Sequence, residues 1–246
     1  MSVATPPLFL VDELPTEDTA VLDGAEGHHA STVQRLAPGG EVRLADGVGG
    51  VADCTVESAE PGRLRLSVRR RARLDPPQPR FVVVQALPKG DRGELAVELL
   101  TELGADEIVP WAAARCVARW RPDRVARGVA RWRAAARAAA KQSRRAWVPV
   151  VTGQASTRQV CSLIGGAATA VVLHGGALRQ LVSLGLPATG DIVLVVGPEG
   201  GLTDGELTAF RAAGARLARL GPSVLRTSSA GAAALAAIST VTGRWN

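Results

Sequence analysis

Glu199 and Arg226 are the charged side chains most plainly set for chemistry. Glu199 stands at the centre of Gly197-Pro198-Glu199-Gly200-Gly201, and the apolar run Ile192–Val196 leads straight into it. Arg226 stands in a second loop, Leu220-Gly-Pro-Ser-Val-Leu-Arg-Thr227, after the short strand pattern Arg216–Leu220. A carboxylate can take a proton or hold a polar ligand group, and a guanidinium can neutralise developing negative charge. Glycines let a loop backbone approach a ligand closely. Thr203-Asp-Gly-Glu206 is a capping-box pattern, so a helix begins just after the first loop, and helix N-termini attract anions. No Gly-Lys-Ser/Thr follows, which excludes a P-loop. The first strand of this region leads into Pro88-Lys-Gly-Asp-Arg-Gly93, a poor dinucleotide fingerprint. Alone, the Gly-rich turn is compatible with a plain loop; its partner loop makes it one wall of a pocket.

Strands and helices must bring these loops to one edge. From Phe81 the pattern alternates. Strands are expected at Phe81–Gln85, Glu107–Trp111, Val148–Val151, Thr169–His174, Ile192–Val196 and Arg216–Leu220. Helices are expected at Glu94–Leu103, Pro122–Arg145, Thr157–Ile164, Asp204–Ala213 and Ser229–Val241. Such alternation means a mainly parallel α/β sheet, whose ligands bind beyond the carboxyl ends of the strands. Residues 1–74 read differently. Arg63-Leu-Arg-Leu-Ser-Val-Arg69 alternates strictly, Glu41–Ala45 and Val51–Val56 are further strands, and one helix is expected over Glu26–Leu36. Short strands with one helix suggest a small barrel. Asp75-Pro-Pro-Gln-Pro79 reads as an extended linker, dividing the chain into domains at 1–74 and 81–246 with 75–80 between them.

Charge is segregated. Of 29 basic residues only Lys89 and Lys141 are lysine, a bias that GC-rich coding explains without explaining position. Residues 115–145 carry 11 basic residues against Asp123 alone, and residues 63–80 carry seven against Asp75. These two stretches hold +16 in a chain of net +6, leaving the rest near −10. On the long helix, Val125, Val129, Trp132, Ala136 and Ala139 form one apolar stripe. Arg124, Arg127, Arg131, Arg133, Arg137, Lys141, Arg144 and Arg145 occupy the rest of the circumference. A solvated face normally mixes in acids, so a surface for a polyanion, nucleic acid above all, is the better reading. Cys54, Cys116 and Cys161 are far apart, which argues against a metal site or a disulfide framework and suits a reducing cytoplasm. No run is long and apolar enough to cross a membrane, and Met1–Val11 does not read as a signal peptide.

Several segments together resemble the SPOUT, or α/β-knot, methyltransferases, and more closely the ribosomal small-subunit methyltransferase E family. They are Glu26-Gly-His-His29 with Arg35, Thr101-Glu-Leu-Gly104 with Pro110, and Gln142-Ser-Arg-Arg145 before Val148-Pro149. Leu173-His174, Gly197–Gly201 and Leu220–Thr227 continue the match. The resemblance implies an N-terminal PUA-like barrel, a trefoil-knotted C-terminal domain and a homodimer that uses S-adenosylmethionine without a metal. On that analogy Leu173, His174, Gly197, Pro198, Glu199, Gly200, Gly201, Leu220, Gly221, Val224, Leu225 and Thr227 contact the cofactor. His29, Arg35, Lys89, Arg124, Arg131, Gln142, Arg144 and Arg145 contact RNA, and the target is N3 of a uridine in 16S rRNA. The chain departs from the family pattern at Leu8, where an Arg is usual, at Lys141, where an acid is usual, and at Ser228, where a Glu is usual.

The implied chemistry is methyl transfer to a nitrogen that carries a proton at neutral pH. Arg226 can stabilise charge on the uracil oxygens. Glu199 can serve as base, but binding a cofactor group or holding its own loop is the favoured role. His28 and His29 suit RNA contact or helix packing, and Trp120 and Trp147, beside arginines, can stack on bases. Two alternatives remain open: a knot enzyme with another RNA target, base or ribose, and a non-catalytic RNA-binding assembly factor with the same fold.

Overall fold

The structure, a computed structural model, describes residues 6–245; the first part of the Met1–Val11 stretch lies outside them. It divides into two compact units. The first comprises residues 1–76 with 140–148, and the second residues 77–139 with 149–246.

The first unit is built on five strands: β1 (Leu8–Leu10), β2 (Thr19–Leu22), β3 (Glu41–Ala45), β4 (Gly50–Glu60) and β5 (Arg63–Arg73), ordered β1-β3-β4-β5-β2. β1 pairs in parallel with β3, and the other pairs are antiparallel. Alternation in β5 places Leu64, Leu66 and Val68 in the core with Phe9, Val42, Leu44 and Val56, while its arginines face out. The expected helix at Glu26–Leu36 is shorter and in two parts, α1 (Gly24–His28) and a wider π-helical turn over His29–Val33. It closes where Arg35 turns left-handed, with φ of 53°, and the Leu36 amide donates back to the Ala30 carbonyl at 3.0 Å. β1 and β2 carried no clear alternation: β1 is three residues, all buried, and β2 is mostly exposed.

Leu8 explains one departure from the family pattern. It is 4% exposed and packs in an apolar cluster with Leu10, Ala45, Val51 and Ala146, a place with no room for a charge. Lys141 explains another, since its ammonium lies 2.8 Å from the Glu26 carboxylate and over the Phe9 ring.

The second unit holds β6 (Arg80–Ala86), α2 (Arg92–Glu102), β7 (Glu107–Trp111), α3 (Val125–Gln142, whose last turn clusters with the first unit), β8 (Val150–Val151), α4 (Thr157–Gly166), β9 (Thr169–Leu173), β10 (Asp191–Val196), α5 (Asp204–Ala212), β11 (Arg216–Ala218) and α6 (Thr227–Val241). All strand pairs are parallel, in the order β11-β9-β10-β6-β7-β8. The central strands β6 and β10 are continuous buried runs, as parallel strands covered on both faces must be. α6, rich in Ala, packs on β6, β10 and α2.

Arg80 ties three strands together at their amino ends. It is ion-paired with Glu107 of β7 and, at 2.8 Å, with Asp191 of β10. Burial works against its charge, but the hydrogen bonds and charges of the two carboxylates outweigh burial and hold its pKa above the ordinary value.

The apolar stripe of α3 is as periodicity predicts: Val129, Trp132, Ala136 and Ala139 are buried, and Val125 packs against the same core. The helix ends at Gln142, before the expected Arg145, because Arg144 takes a left-handed φ of 56°. The Arg145 amide then donates to the Ala140 carbonyl at 2.8 Å and the Arg144 amide to Lys141 at 3.1 Å, a Schellman closure. Trp120 packs edge-on against Trp132, ring centroids 5.4 Å apart, and Trp147 lies against Gly49. Among the described residues no helix is long and apolar enough to span a membrane.

Candidate active site

Because β9, β10 and β11 are neighbours and parallel, their carboxyl ends open on one edge. The chain beyond each becomes one wall of a cleft of about 490 Å³, within the range of small-molecule sites. After β9 come Leu173, His174 and Gly175. After β10 come Gly197, Pro198, Glu199 and Gly201. After β11 come Leu220, Gly221, Val224 and Leu225, then Arg226 and Thr227, which open α6. The two loops singled out in the sequence thus share one cavity with the Leu173-His174 strand end.

Backbone hydrogen bonds set these walls. The His174 amide donates to Ala218 at 2.9 Å, and the Arg219 amide to Arg179 at 3.0 Å, locking the β9 loop onto β11. The β10 loop is a tight turn, with the Gly201 amide donating to Pro198 at 2.9 Å and Gly201 at a φ of 71°. Thr203 and Glu206 form the expected capping box, and Glu206 also accepts the Ala114 amide at 2.8 Å. Arg115 donates to the carbonyls of Gly200 and Leu202. The segment after β7 is therefore laced to the β10 loop.

That lacing accounts for Gly200, which alone of the expected cofactor-contacting residues does not line the cleft. A Cβ there would stand 2.9 Å from the Arg115 carbonyl oxygen, so the position must be glycine for two backbones to touch.

Glu199 accepts the Lys89 amide through Oε1 at 3.1 Å, linking the β10 loop to the loop after β6. Its carboxylate is exposed and already serves as an acceptor. Arg226 is exposed on the rim and is the N-cap residue of α6; its side chain caps nothing, and its carbonyl accepts from Ser229 and Ala230. His174 Nδ1 is buried in the wall with no hydrogen-bond partner among the described residues. A buried polar atom of that kind is expected to be satisfied by something bound.

Three features were missed in the sequence. Gln85, fully buried in β6, donates from Nε2 to the carbonyls of Ala86 and Thr227, at 3.0 and 3.3 Å, and so pins the start of α6. Its signal was one amide inside the apolar run Phe81–Ala86. Arg92 and Arg219 line the cleft; no local pattern set them apart from two dozen other arginines. Ser228, where the family pattern has Glu, is buried beneath the α6 terminus and lines no wall.

The residues expected at RNA are distributed over both units. In the first, His29 meets Phe9 edge-on, and Arg35, Gln142 and Arg144 are exposed while Arg145 is partly so. In the second, Lys89, Arg124 and Arg131 are exposed. Arg131 is not a free cation, since Glu94 of α2 lies 3.3 Å away.

Comparison with known proteins decides the family. Residues 76–239 match the RNA methyltransferase domain family, and residues 22–69 match the RNA methyltransferase PUA domain. A ribosomal RNA small subunit methyltransferase E from Mycobacterium bovis is 50% identical over 97% of this chain and 93% of its own length. The chain belongs to this methyltransferase family. The Bacillus subtilis member is 30% identical over 93% of this chain and 91% of its own length. The Neisseria gonorrhoeae member, solved bound to S-adenosyl methionine, superposes with a TM-score of 0.82 at 28% identity, over 96% of this chain and 98% of that one. The family's fold, a PUA-like unit followed by a SPOUT α/β domain, is that described above.

Proposed function

We propose that this methyltransferase transfers a methyl group from S-adenosylmethionine to N3 of a uridine in 16S rRNA. The observation that carries the reading is the cleft itself. Three backbone-rich loops line it, His174 Nδ1 is buried in its wall with no hydrogen-bond partner among the described residues, and Arg226 stands on its rim. These residues fit the cofactor: the strand ends at Leu173-His174, Gly197-Pro198-Glu199 with Gly201, and Leu220–Leu225 would hold it through backbone groups. Thr227 and Val224 close the remaining wall.

The cofactor, when bound, supplies a methyl group on a sulfonium, a strong electrophile that needs no metal. What the protein must do is prepare the nucleophile. Uridine N3 is protonated at neutral pH, so its proton must pass to water or another base while the site stabilises the uracil anion and holds N3 in line with the methyl group. Arg226 stabilises the charge that spreads onto the uracil oxygens. Glu199, committed to the Lys89 amide, holds the loop in place.

Residues 1–74 act as the RNA-binding domain, 75–80 as linker and 81–246 as the catalytic, trefoil-knotted domain. His29, Arg35, Lys89, Arg124, Arg131, Gln142, Arg144 and Arg145 grip the RNA, and an unpaired target base enters the cleft. The enzyme acts as a homodimer in the cytoplasm.

Calorimetry with S-adenosylmethionine tests the cofactor, and absence of binding by folded protein would reject the enzyme reading in favour of an RNA-binding assembly factor. Mass mapping of 16S rRNA from a deletion strain tests the target, and a ribose or non-uridine mark would reject the uridine. Arg226→Ala is expected to bind cofactor normally and lose most turnover; wild-type turnover would remove Arg226 from the mechanism.

A further inference from the structure

Most arginines that touch the body of the second unit are paired. Arg80 pairs with two carboxylates, Arg216 with the Leu184 carbonyl and Thr169, and Arg244 with Asp106. Arg127, Arg158, Arg179 and Arg211, all exposed, have no side-chain partner among the described residues, but the cleft gathers three such arginines. Arg92, Arg219 and Arg226 all line it, and none of their side chains makes a hydrogen bond or ion pair with the described residues. The carboxylate at the cleft, Glu199, is engaged by a backbone amide. The walls therefore carry a surplus of unspent positive charge.

The cofactor does not account for that surplus. Its sulfonium is a cation that unpaired guanidinium groups would disfavour, and its single carboxylate can pair with only one of the three. The others suit an anion that arrives with the substrate. Placement sharpens this. Arg92 opens α2, directly after β6, and Arg219 follows β11. In the sheet β9 and β10 lie between β11 and β6, so the two arginines rise from elements about three strand spacings apart, roughly 14 Å. The β9 and β10 loops form the floor between them.

We infer that Arg92 and Arg219 form a phosphate clamp, binding the phosphodiesters on the two sides of the target nucleotide while Arg226 attends to its base. This rests on the RNA methyltransferase reading above. It adds what that reading leaves open, namely how a base is held at the mouth of the cleft before transfer. Guanidinium groups pair with phosphate oxygens through two parallel N–H donors, which fixes direction as well as position.

The test uses the full-length protein and a single-stranded 16S rRNA fragment carrying the target uridine. A matched fragment has neutral methylphosphonate linkages on either side of that uridine. Arg92→Gln and Arg219→Gln are each expected to weaken fragment binding roughly tenfold, the loss of one charge-assisted contact. Each should also lower the salt dependence of log K by about 0.7 per contact. The loss falls on KM for RNA, cofactor affinity is retained, and the neutral fragment erases the difference between variant and wild type. Wild-type RNA affinity and salt dependence in both variants would overturn the clamp. So would a drop in S-adenosylmethionine affinity, which would assign Arg92 or Arg219 to the cofactor. A wild-type protein that neither binds S-adenosylmethionine nor methylates the fragment would instead defeat the underlying function.

Discussion

Arg35→Gly should make the protein more stable and a poorer RNA binder. Only Arg35 and Arg144 hold a positive φ without being glycine among the described residues, and both belong to the first unit. Arg35 ends the π-helical turn in the position where glycine is ordinarily found, reversing the chain so that Leu36 can return to the core. An L-residue pays about 1–2 kcal/mol for the left-handed conformation. Glycine gives back about 0.4–1 kcal/mol through the greater freedom of the unfolded chain. An arginine near a helix C-terminus is favoured by a few tenths of a kcal/mol through the dipole. The balance is a gain of about 0.5 kcal/mol for Arg35→Gly, equal to a rise of roughly 2–4 °C in the melting of a unit this small. The exposed Arg35 side chain makes no hydrogen bond or ion pair with the described residues that the substitution would forfeit. Its persistence at a strained position is therefore best explained by a partner outside the fold. Calorimetry reads the stability, and filter binding of the 16S fragment at several salt concentrations reads the RNA side, where one phosphate contact should disappear from the slope. A lower melting temperature would show that Arg35 supports the fold. Unchanged affinity and slope would show that its strain has no RNA-related purpose.

Three other substitutions probe the loops and the core. Gly200→Ala pushes a methyl group against the Arg115 carbonyl; a cost of about 1–3 kcal/mol and weakened cofactor binding are expected in urea melts and calorimetry, and a neutral result would mean the two loops separate freely. Glu199→Gln keeps an acceptor for the Lys89 amide and should retain turnover within about an order of magnitude, whereas Glu199→Ala should lose cofactor affinity; a loss of about 10²-fold or more in the Gln variant with cofactor binding intact would restore Glu199 as general base. Burial, with help from Asp53, pushes the Cys54 thiol up to about 11. The folded state therefore holds this proton more tightly than the unfolded chain, and the stability it contributes is complete below the ordinary thiol value and drains away as pH rises toward 11. Urea midpoints of wild type and Cys54→Ala should converge over that window, and parallel curves would show that another group titrates.

Much of the fold was legible because its physics is local. The buried runs Phe81–Gln85 and Ile192–Val196, the capping box at Thr203 and the one-sided stripe on α3 each declare themselves within a few residues. What was not legible depends on where separate segments meet. The α3 pattern continues through arginines to Arg145, and nothing in their helix propensity shows that Arg144 turns left-handed and that residues 140–148 cluster with the first unit. Leu8 and Lys141 looked like lost functional residues, yet one fills an apolar cluster and the other neutralises Glu26.

The site shows the same division. The tandem of two strand-to-loop junctions, each with one charge, singled out the loops at Glu199 and Arg226, although the Gly-rich turn alone is compatible with a plain loop. Their meeting with His174 follows from strand order, which places β9 between β10 and β11 although β10 lies between β9 and β11 in sequence. Arg92 is farther still from reach: it belongs to the cleft through the position of β6, and in an arginine-rich chain its type carries no information. What distinguishes it is the company of Arg219 and Arg226 at one cleft, all three without a side-chain partner among the described residues, and only assembled surroundings can define that. The same reasoning separates Glu199 from Arg226. Both are exposed charges in loops at one cavity, but the carboxylate already accepts a backbone amide while the guanidinium donates to no partner among the described residues. A carboxylate that holds a backbone amide is occupied in anchoring its loop, whereas a group left unspent can respond to charge that exists only as the methyl group moves. The chemistry therefore rests on Arg226 and on loop geometry that Glu199 helps to hold.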